Sequence, residues 1–455
     1  MGKYFGTDGI RGVANSGLDS KLAFNAGRAA AVVLAKEKAD GKPLFAIGKD
    51  TRLSCDMLEA AMVAGLCSAG ADVLLLGVVP TPAVAYITKE NAIDAGIVIS
   101  ASHNPFQDNG IKLFSSRGFK LSDEIEEKIE ELIDNEMDAA QYTGADIGTA
   151  TRRSGEYVSR YLNHIVSCAD FGQRRLKVLI DCANGAASRT AQELFERLPI
   201  DVDIIKDHPN GTNINVECGS THPEYLAKLV VAGGFDVGVA FDGDADRCMV
   251  VDENGDIVDG DKMMGICALS MREQGKLKGD AIVATVMSNM GFHEFARKSG
   301  IKLECTTVGD RYVLECMLEK GYNLGGEQSG HIIFLDDSTT GDGQLCAVHF
   351  LSVLSKSDKK VSELASDIPT YPQVLLNVVI ENNDVKRAIM EDEEVLAAVE
   401  AEEKIIGDDG RILVRASGTE ALIRVMVEAK EDRIANDTAA KLSDLIKKRA
   451  NEVKA

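Results

Sequence analysis

Short apolar runs, each closed by a small polar turn and separated by amphipathic stretches, recur through most of this chain. That rhythm limits the fold more than any other feature, because a fully apolar run suits a parallel strand and parallel strands need a helix-length crossover. Residues 44–47, 73–76 and 96–99 read as strands, with helices over 57–69 and 82–90 between them. Ser122 is placed to cap a further helix whose Ile125, Ile129, Leu132 and Ile133 share one face. The polar stretch 141–155 suits a domain boundary.

A second unit offers strands at 178–182, 202–205 and 237–241 and a helix over 223–231. A third begins after the turn at Glu253, Asn254 and Gly255, with strands at 281–286, 301–306 and 322–324 and a helix over 311–320. Pro369 and Pro372 set off an end segment with another rhythm: a strand at 374–380, an acidic helix, strands and a long terminal helix. The expected fold class is α/β, with three similar mixed α/β domains at 1–150, 151–254 and 255–368. A smaller C-terminal α+β domain at 369–455 completes the set around a central cleft. For 455 residues, about 150 per domain gives three domains, or four if one is small.

The charge balance narrows the partners. A net charge of −22 argues against nucleic acid, whose binding relies on Lys and Arg neutralising phosphates. It also repels anions at long range, so a phosphorylated substrate would need local arginines; Arg11, Arg52, Arg247, Arg415 and Arg424 are the candidates. No stretch approaches the ~18–20 apolar residues of a membrane span, and no membrane partner is expected. The opening MGKYFGT lacks a secretion signal's apolar core, and Gly6 breaks the myristoylation pattern. Ten cysteines without CxxC spacing indicate neither zinc nor a disulfide framework. The cytoplasm is the expected setting.

Five motifs carry chemistry. ISASHNP at 99–105 follows an apolar run and puts hydroxyls and an imidazole at a strand's end, with Ser102 the preferred nucleophile or phosphate carrier. His103 and Asn104 could position the transferring group, although turn and capping roles before Pro105 would explain the same residues. DGDADR at 242–247 sets Asp242, Asp244 and Asp246 at alternate positions; curled into a loop they converge as ligands for a hard divalent cation. A calcium loop would want glycine where Arg247 stands, so Arg247 reads better as a phosphate clamp beside a metal, against the alternative of a solvated acidic turn.

GGEQSGH at 325–331 mixes carboxylate, amide, hydroxyl and imidazole on a flexible loop that suits sugar hydroxyls, with Glu327 and Ser329 accepting or adding hydrogen bonds. A polar hairpin turn explains it equally well. RASGTE at 415–420, followed by Arg424, has the guanidiniums, hydroxyls and glycine of an anion nest, or of an exposed turn. GTDGIRG at 6–12 matches neither the P-loop nor the dinucleotide fingerprint, and its Arg11 could face the substrate.

Together with DNGIK at 108–112, these segments stand in the order of the α-D-phosphohexomutase superfamily, which the chain resembles along its whole length. The resemblance implies a phosphoserine at Ser102, which with Asp242, Asp244 and Asp246 binds one Mg²⁺ per active site. It implies that Arg247 contacts the phosphoryl group and that Glu327 and Ser329 hold the sugar. Arg415, Ser417, Gly418, Thr419 and Arg424 would take the distal phosphate. Arg11, Lys112 and His331 match family positions implicated in proton transfer or transition-state electrostatics.

Gln328, DCANG at 181–185, GTNIN at 211–215 and TVMSN at 285–289 resemble the glucosamine branch. The activity implied is interconversion of glucosamine 6-phosphate and 1-phosphate through a glucosamine 1,6-bisphosphate intermediate or activator, feeding amino-sugar and cell-wall precursor synthesis. The partner implied is a small-molecule hexosamine phosphate, with a homodimer left open. Ala416, Ala421, Lys49 and Cys55 depart from frequent family residues and are expected to loosen their loops. Rival readings are a phosphoglucomutase or phosphomannomutase, a phosphatase using the same loop, and a non-catalytic sugar-phosphate sensor.

Overall fold

The computed structural model describes residues 2–6, 8–34, 41–135, 141–417 and 422–453. They form two compact units, one of residues 1–287 and 301–366 and the other of 288–300 and 367–455.

The first unit holds three sheets built on one plan. In the largest, the strands Ala95–Ile99, Leu44–Lys49, Asp72–Val78 and Ala150–Arg152 run parallel. Asp108–Ser115 returns antiparallel beside Ala95–Ile99, followed by Gly9–Val13 and Phe5–Gly6. The second sheet has a parallel core of Val237–Phe241, Lys177–Asp181 and Asp201–Ile205, with Cys248–Val251 returning antiparallel. The third has Ala281–Thr285 parallel to Lys302–Thr306 and Leu324–Gly326, with Ile332–Phe334 returning antiparallel. Every residue of Ala95–Ile99, Val237–Phe241 and Ala281–Thr285 is buried, which is why these strands read as unbroken apolar runs and not as alternation.

In each sheet the chemically loaded loop joins a core strand to its antiparallel return. The serine turn lies between Ala95–Ile99 and Asp108–Ser115, the aspartate loop between Val237–Phe241 and Cys248–Val251, and the Glu327 loop between Leu324–Gly326 and Ile332–Phe334. The triplication suggested by the sequence rhythm is thus topological.

Some expectations change. Within the stretch read as a boundary, Ala150–Arg152 is an edge strand pairing with Asp72–Val78; three exposed residues are too few to show a pattern. Ser122 does sit at the start of the helix Asp123–Asp134, but its side chain makes no capping hydrogen bond. The helices Ser20–Leu34 and Gly343–Lys356, which the rhythm did not single out, carry many of the buried residues.

In the second unit, Gln373–Val379, Leu422–Ala429 and Gly410–Ala416 form an antiparallel sheet with Leu422–Ala429 central. The long helix Asp432–Glu452 packs its Ala435, Leu442 and Ile446 into a core with Ile423, Val425 and Val427. The helix Met290–Ser299 joins the same unit, its Met290 N–H donating to Glu428 at 3.0 Å.

Candidate active site

Ser102 stands at φ +51°, in the left-handed region that a non-glycine residue enters only when its surroundings compel it. The surroundings are visible. Its N–H donates to Ser100 Oγ at 2.9 Å, and its carbonyl accepts from Arg52 at 2.7 Å and from the Asn215 amide at 2.9 Å. Ser100 Oγ in turn donates to Asp50 at 2.6 Å, and Asp50 accepts from Arg52 Nε at 2.8 Å. The result is a buried hydroxyl whose Oγ donates to Asp242 Oδ2 at 2.6 Å, across 140 positions of sequence.

Close backbone approach makes that contact. A Cβ on Gly243 would lie 2.4 Å from the Ser102 carbonyl oxygen, so only glycine lets the aspartate loop reach the serine turn. The loop then curls, with Ala245 at φ +55°, and brings ligand atoms of Asp242, Asp244 and Asp246 within 4.8 Å of one another. All three residues are buried. Asp244 Oδ2 accepts from Thr81 Oγ1 at 2.6 Å and lies 2.9 Å from Lys112 Nζ. Asp244 Oδ1 and Asp246 Oδ1, by contrast, are buried with no hydrogen-bond partner. Oxygen-only donors, clustered and partly unpaired, fit a hard divalent cation.

The electrostatics follow from burial and neighbours. Burial, then Asp246 and Asp244, push the Asp242 carboxyl well up. Burial also opposes ionisation of Asp246, but Lys112, His331 and Arg247 outweigh it and hold that carboxyl far below the usual range. Lys112 is buried yet kept above the ordinary lysine range by Asp244, Asp8 and Asp246. His331 likewise resists burial: the hydrogen bond and charge of Asp246, then Asp310, raise it. His103, 3.4 Å from Ser102 Oγ, is pressed down to about 4 by burial, then Arg247 and Arg11. It therefore faces the serine as a neutral imidazole near pH 7.

Arg247 donates its backbone N–H to Asp242 at 3.2 Å, and its Nε is buried without a partner. Glu327 Oε1 accepts from Gly309 N–H at 3.2 Å, and the Ser329 hydroxyl is buried without a partner. Gly330, at φ +90°, closes this loop; a Cβ there would meet the Cys248 carbonyl oxygen at 2.2 Å. The Glu327 loop is thereby pinned to the strand that follows the aspartate loop. Arg11 pairs with Asp8, which Lys112 also approaches at 3.1 Å.

In the second unit, Arg415 and Arg424 stand directly opposite each other on neighbouring antiparallel strands. Burial and then Arg424 lower Arg415, and like charges facing across strands are unfavourable unless an anion lies between them. Ser417 is buried, its carbonyl accepting from Lys386 Nζ at 2.7 Å. Gly418 and Thr419 lie outside the described residues.

Arg52 is corrected: its side chain is fully buried against Asp50 and the carbonyls of Ser102, Pro105 and Asp108, so it braces the serine turn and is not an open anion contact. Nor do Lys49 and Cys55 loosen their region. Lys49 pairs with Asp56 and Glu59, and Cys55 Sγ lies 3.1 Å from Asp50. Thr81, Lys120 and Asp310 were not singled out by the sequence, and of these only Asp310 carried a signal, as an acid in a glycine-containing turn; Asp8 and Asn215 fell inside motifs quoted without a role for them.

The comparisons with known proteins agree along the whole length. Domain families described as phosphoglucomutase/phosphomannomutase match in order: α/β/α domain I at residues 2–140, domain II at 156–255, domain III at 259–371 and the C-terminal domain at 375–445. A phosphoglucosamine mutase of Thermoanaerobacter pseudethanolicus is 49% identical over 451 residues, 99% of this chain and 100% of that one. One from Shouchella clausii is 52% identical over 448 residues, 98% of this chain and 99% of that one. A solved phosphoglucomutase/phosphomannomutase family protein of Burkholderia thailandensis superposes with a TM-score of 0.82 at 26% identity, covering 98% of this chain and 97% of the other.

Proposed function

The chain belongs to the phosphoglucomutase/phosphomannomutase family of α-D-phosphohexomutases, and on that premise we propose that it interconverts glucosamine 6-phosphate and glucosamine 1-phosphate. The observation that carries the chemistry is the Ser102 hydroxyl, held in a left-handed turn and hydrogen-bonded to Asp242, one of three clustered carboxylates of which Asp244 and Asp246 keep an unpaired oxygen. Relatives named for this reaction, about half identical over nearly the full length, support the amino sugar as substrate.

In this reading Ser102 starts each cycle phosphorylated. A sugar hydroxyl attacks the phosphoryl group, the bond to Ser102 Oγ breaks, and the hydroxyl proton passes to a basic group of the site. The resulting 1,6-bisphosphate turns round, and its other phosphoryl group returns to Ser102 while a proton is given back to the departing sugar oxygen. Lys112 and His331 lie beside the aspartate loop, Arg11 pairs with the Asp8 that Lys112 also approaches, and the three would supply the proton carriers and positive charge. Asp242, Asp244 and Asp246, with the Ser102 phosphoryl group, would hold one Mg²⁺, which supplies neutralisation of the phosphoryl charge. Arg247 would steady the transferring group. Glu327 and Ser329 would bind the sugar hydroxyls in both orientations, and Arg415, Ser417, Gly418, Thr419 and Arg424 its distal phosphate.

Four domains at 1–150, 151–254, 255–368 and 369–455 are supported by the four family matches. Ten free cysteines, most of them buried, support the cytoplasm, and no described helix is long and apolar enough to cross a membrane. The product would feed amino-sugar and cell-wall precursor synthesis.

The test is kcat/KM on glucosamine, glucose and mannose phosphates, with intact mass to detect a phosphoryl group on Ser102. The glucosamine phosphate should lead, and Ser102→Ala should lower turnover by at least about 10³-fold. Preference for glucose or mannose phosphate would make the enzyme a phosphoglucomutase or phosphomannomutase. Inorganic phosphate as main product would make it a phosphatase, and full function in Ser102→Ala would make it a sensor.

A further inference from the structure

Carboxylates and basic side chains, buried or half-buried, alternate along a path that begins and ends on the aspartate loop. Asp244 lies 2.9 Å from Lys112, and Lys112 lies 3.1 Å from Asp8. Asp8 and Asp310 each lie 2.6 Å from the same ammonium, that of Lys120. Asp310 lies 3.5 Å from His331 Nε2, which accepts from the N–H of Gly341 at 3.2 Å, and His331 Nδ1 faces the aspartate loop at Asp246, 3.7 Å away. Lys120 follows the strand that carries Lys112, whereas Asp310 opens the helix Asp310–Lys320 next to the third sheet. Lys120 thus joins carboxylates from two sheet systems, and neither it nor Asp310 touches the serine.

We propose that Lys120 and Asp310 are positioning residues for phosphoryl transfer, closing the ring that holds Lys112 and His331 against the aspartate loop. The proposal rests on the mutase reading above. Lys112 and Lys120 each stand between two carboxylates, so the place of each ammonium is set by two pulls. Removing the Lys120 ammonium leaves Asp8 and Asp310 facing each other with no cation between them. Asp8 must then draw on Lys112 and Arg11, pulling Lys112 from Asp244, while Asp310 draws His331 from Asp246. Both displaced side chains flank the aspartate loop. Ser329 is not a member of the ring, so sugar binding is spared.

The experiment uses the full-length enzyme and glucosamine 6-phosphate. Lys120→Met should lower kcat by about 10- to 100-fold with KM within about threefold of wild type. Lys120→Arg should recover most of the loss, because it restores charge and leaves fold contacts unchanged. Asp310→Asn should lower kcat comparably, and the double variant Lys120→Met/Asp310→Asn should be no worse than the weaker single variant, since the two act through one network. Wild-type kcat in either single variant, fully additive losses, or no recovery in Lys120→Arg would overturn the proposal. If Lys120→Met does not fold, the near-isosteric Asp310→Asn decides alone. Should the wild type act on a different hexose phosphate, the mutase substrate is revised and the same variants are read on that sugar. A wild type inactive on every hexose phosphate would sink both readings.

Discussion

The serine turn and the aspartate loop occupy equivalent places, each between a buried parallel strand and its antiparallel return. They are stabilised differently. In the serine turn the polar groups are satisfied from within the protein: Arg52 spreads its guanidinium over Asp50 and three carbonyls, and Asn215 takes the Ser102 carbonyl. The aspartate loop keeps unpaired carboxylate oxygens in a buried setting, an arrangement that costs free energy until a cation arrives. One loop is a finished mould for a strained backbone. The other is a socket, completed only by what enters it.

The serine turn depends most heavily on Arg52. Arg52→Met removes one half of a buried ion pair and strands Asp50, so equilibrium denaturation should show a loss of about 3–5 kcal/mol. A loss below about 1 kcal/mol would mean that the serine turn holds its shape without this brace.

The socket is tested by adding what it lacks. Mg²⁺ at about 100 times its Kd should stabilise the fold by about 2.7 kcal/mol, read as a rise in melting temperature. Asp244→Asn should lose most of that rise. Equal stabilisation of variant and wild type would place the ion outside the loop.

A smaller effect sharpens the picture from behind the loop. Ala245 accepts from the N–H of Gly343 at 3.0 Å, at the start of the helix Gly343–Lys356 that Asp342 caps. Asp342 also accepts from Tyr161 Oη at 2.9 Å, and burial pushes its carboxyl up to about 7 from 3.8. Between those values the unfolded chain sheds a proton that the fold retains, so this group's contribution to stability falls as pH rises through the window. Asp342→Asn escapes that penalty. It should melt a few degrees above wild type at pH 8 and lose the advantage toward pH 4; a gap independent of pH would show that the carboxyl is ionised in the fold.

Much of the fold was legible because fully buried strands leave a local signature. Residues 96–99, 237–241 and 281–284 are apolar throughout. Edge pieces such as Ala150–Arg152 were not, since three solvated residues carry no period. Of the site, Ser102, the aspartate trio and the Glu327 loop stood out because each packs several functional groups into one short turn. Lys120 and Thr81 carried no such signal: a lone lysine in a surface-like stretch or a threonine before a helix means nothing until its distant partner is known.

The sequence by itself determined the buried core strands and the chemistry loaded on each loop, since both depend on residues close along the chain. Tertiary structure alone decided that Ser102 meets Asp242 across 140 positions, that Arg52 turns inward, and that the charges around Asp244 close into a ring. The physical reason is that charge pairing and backbone close approach act through space, over a few ångströms. Positions far apart in the chain reach that range only once the sheets have formed.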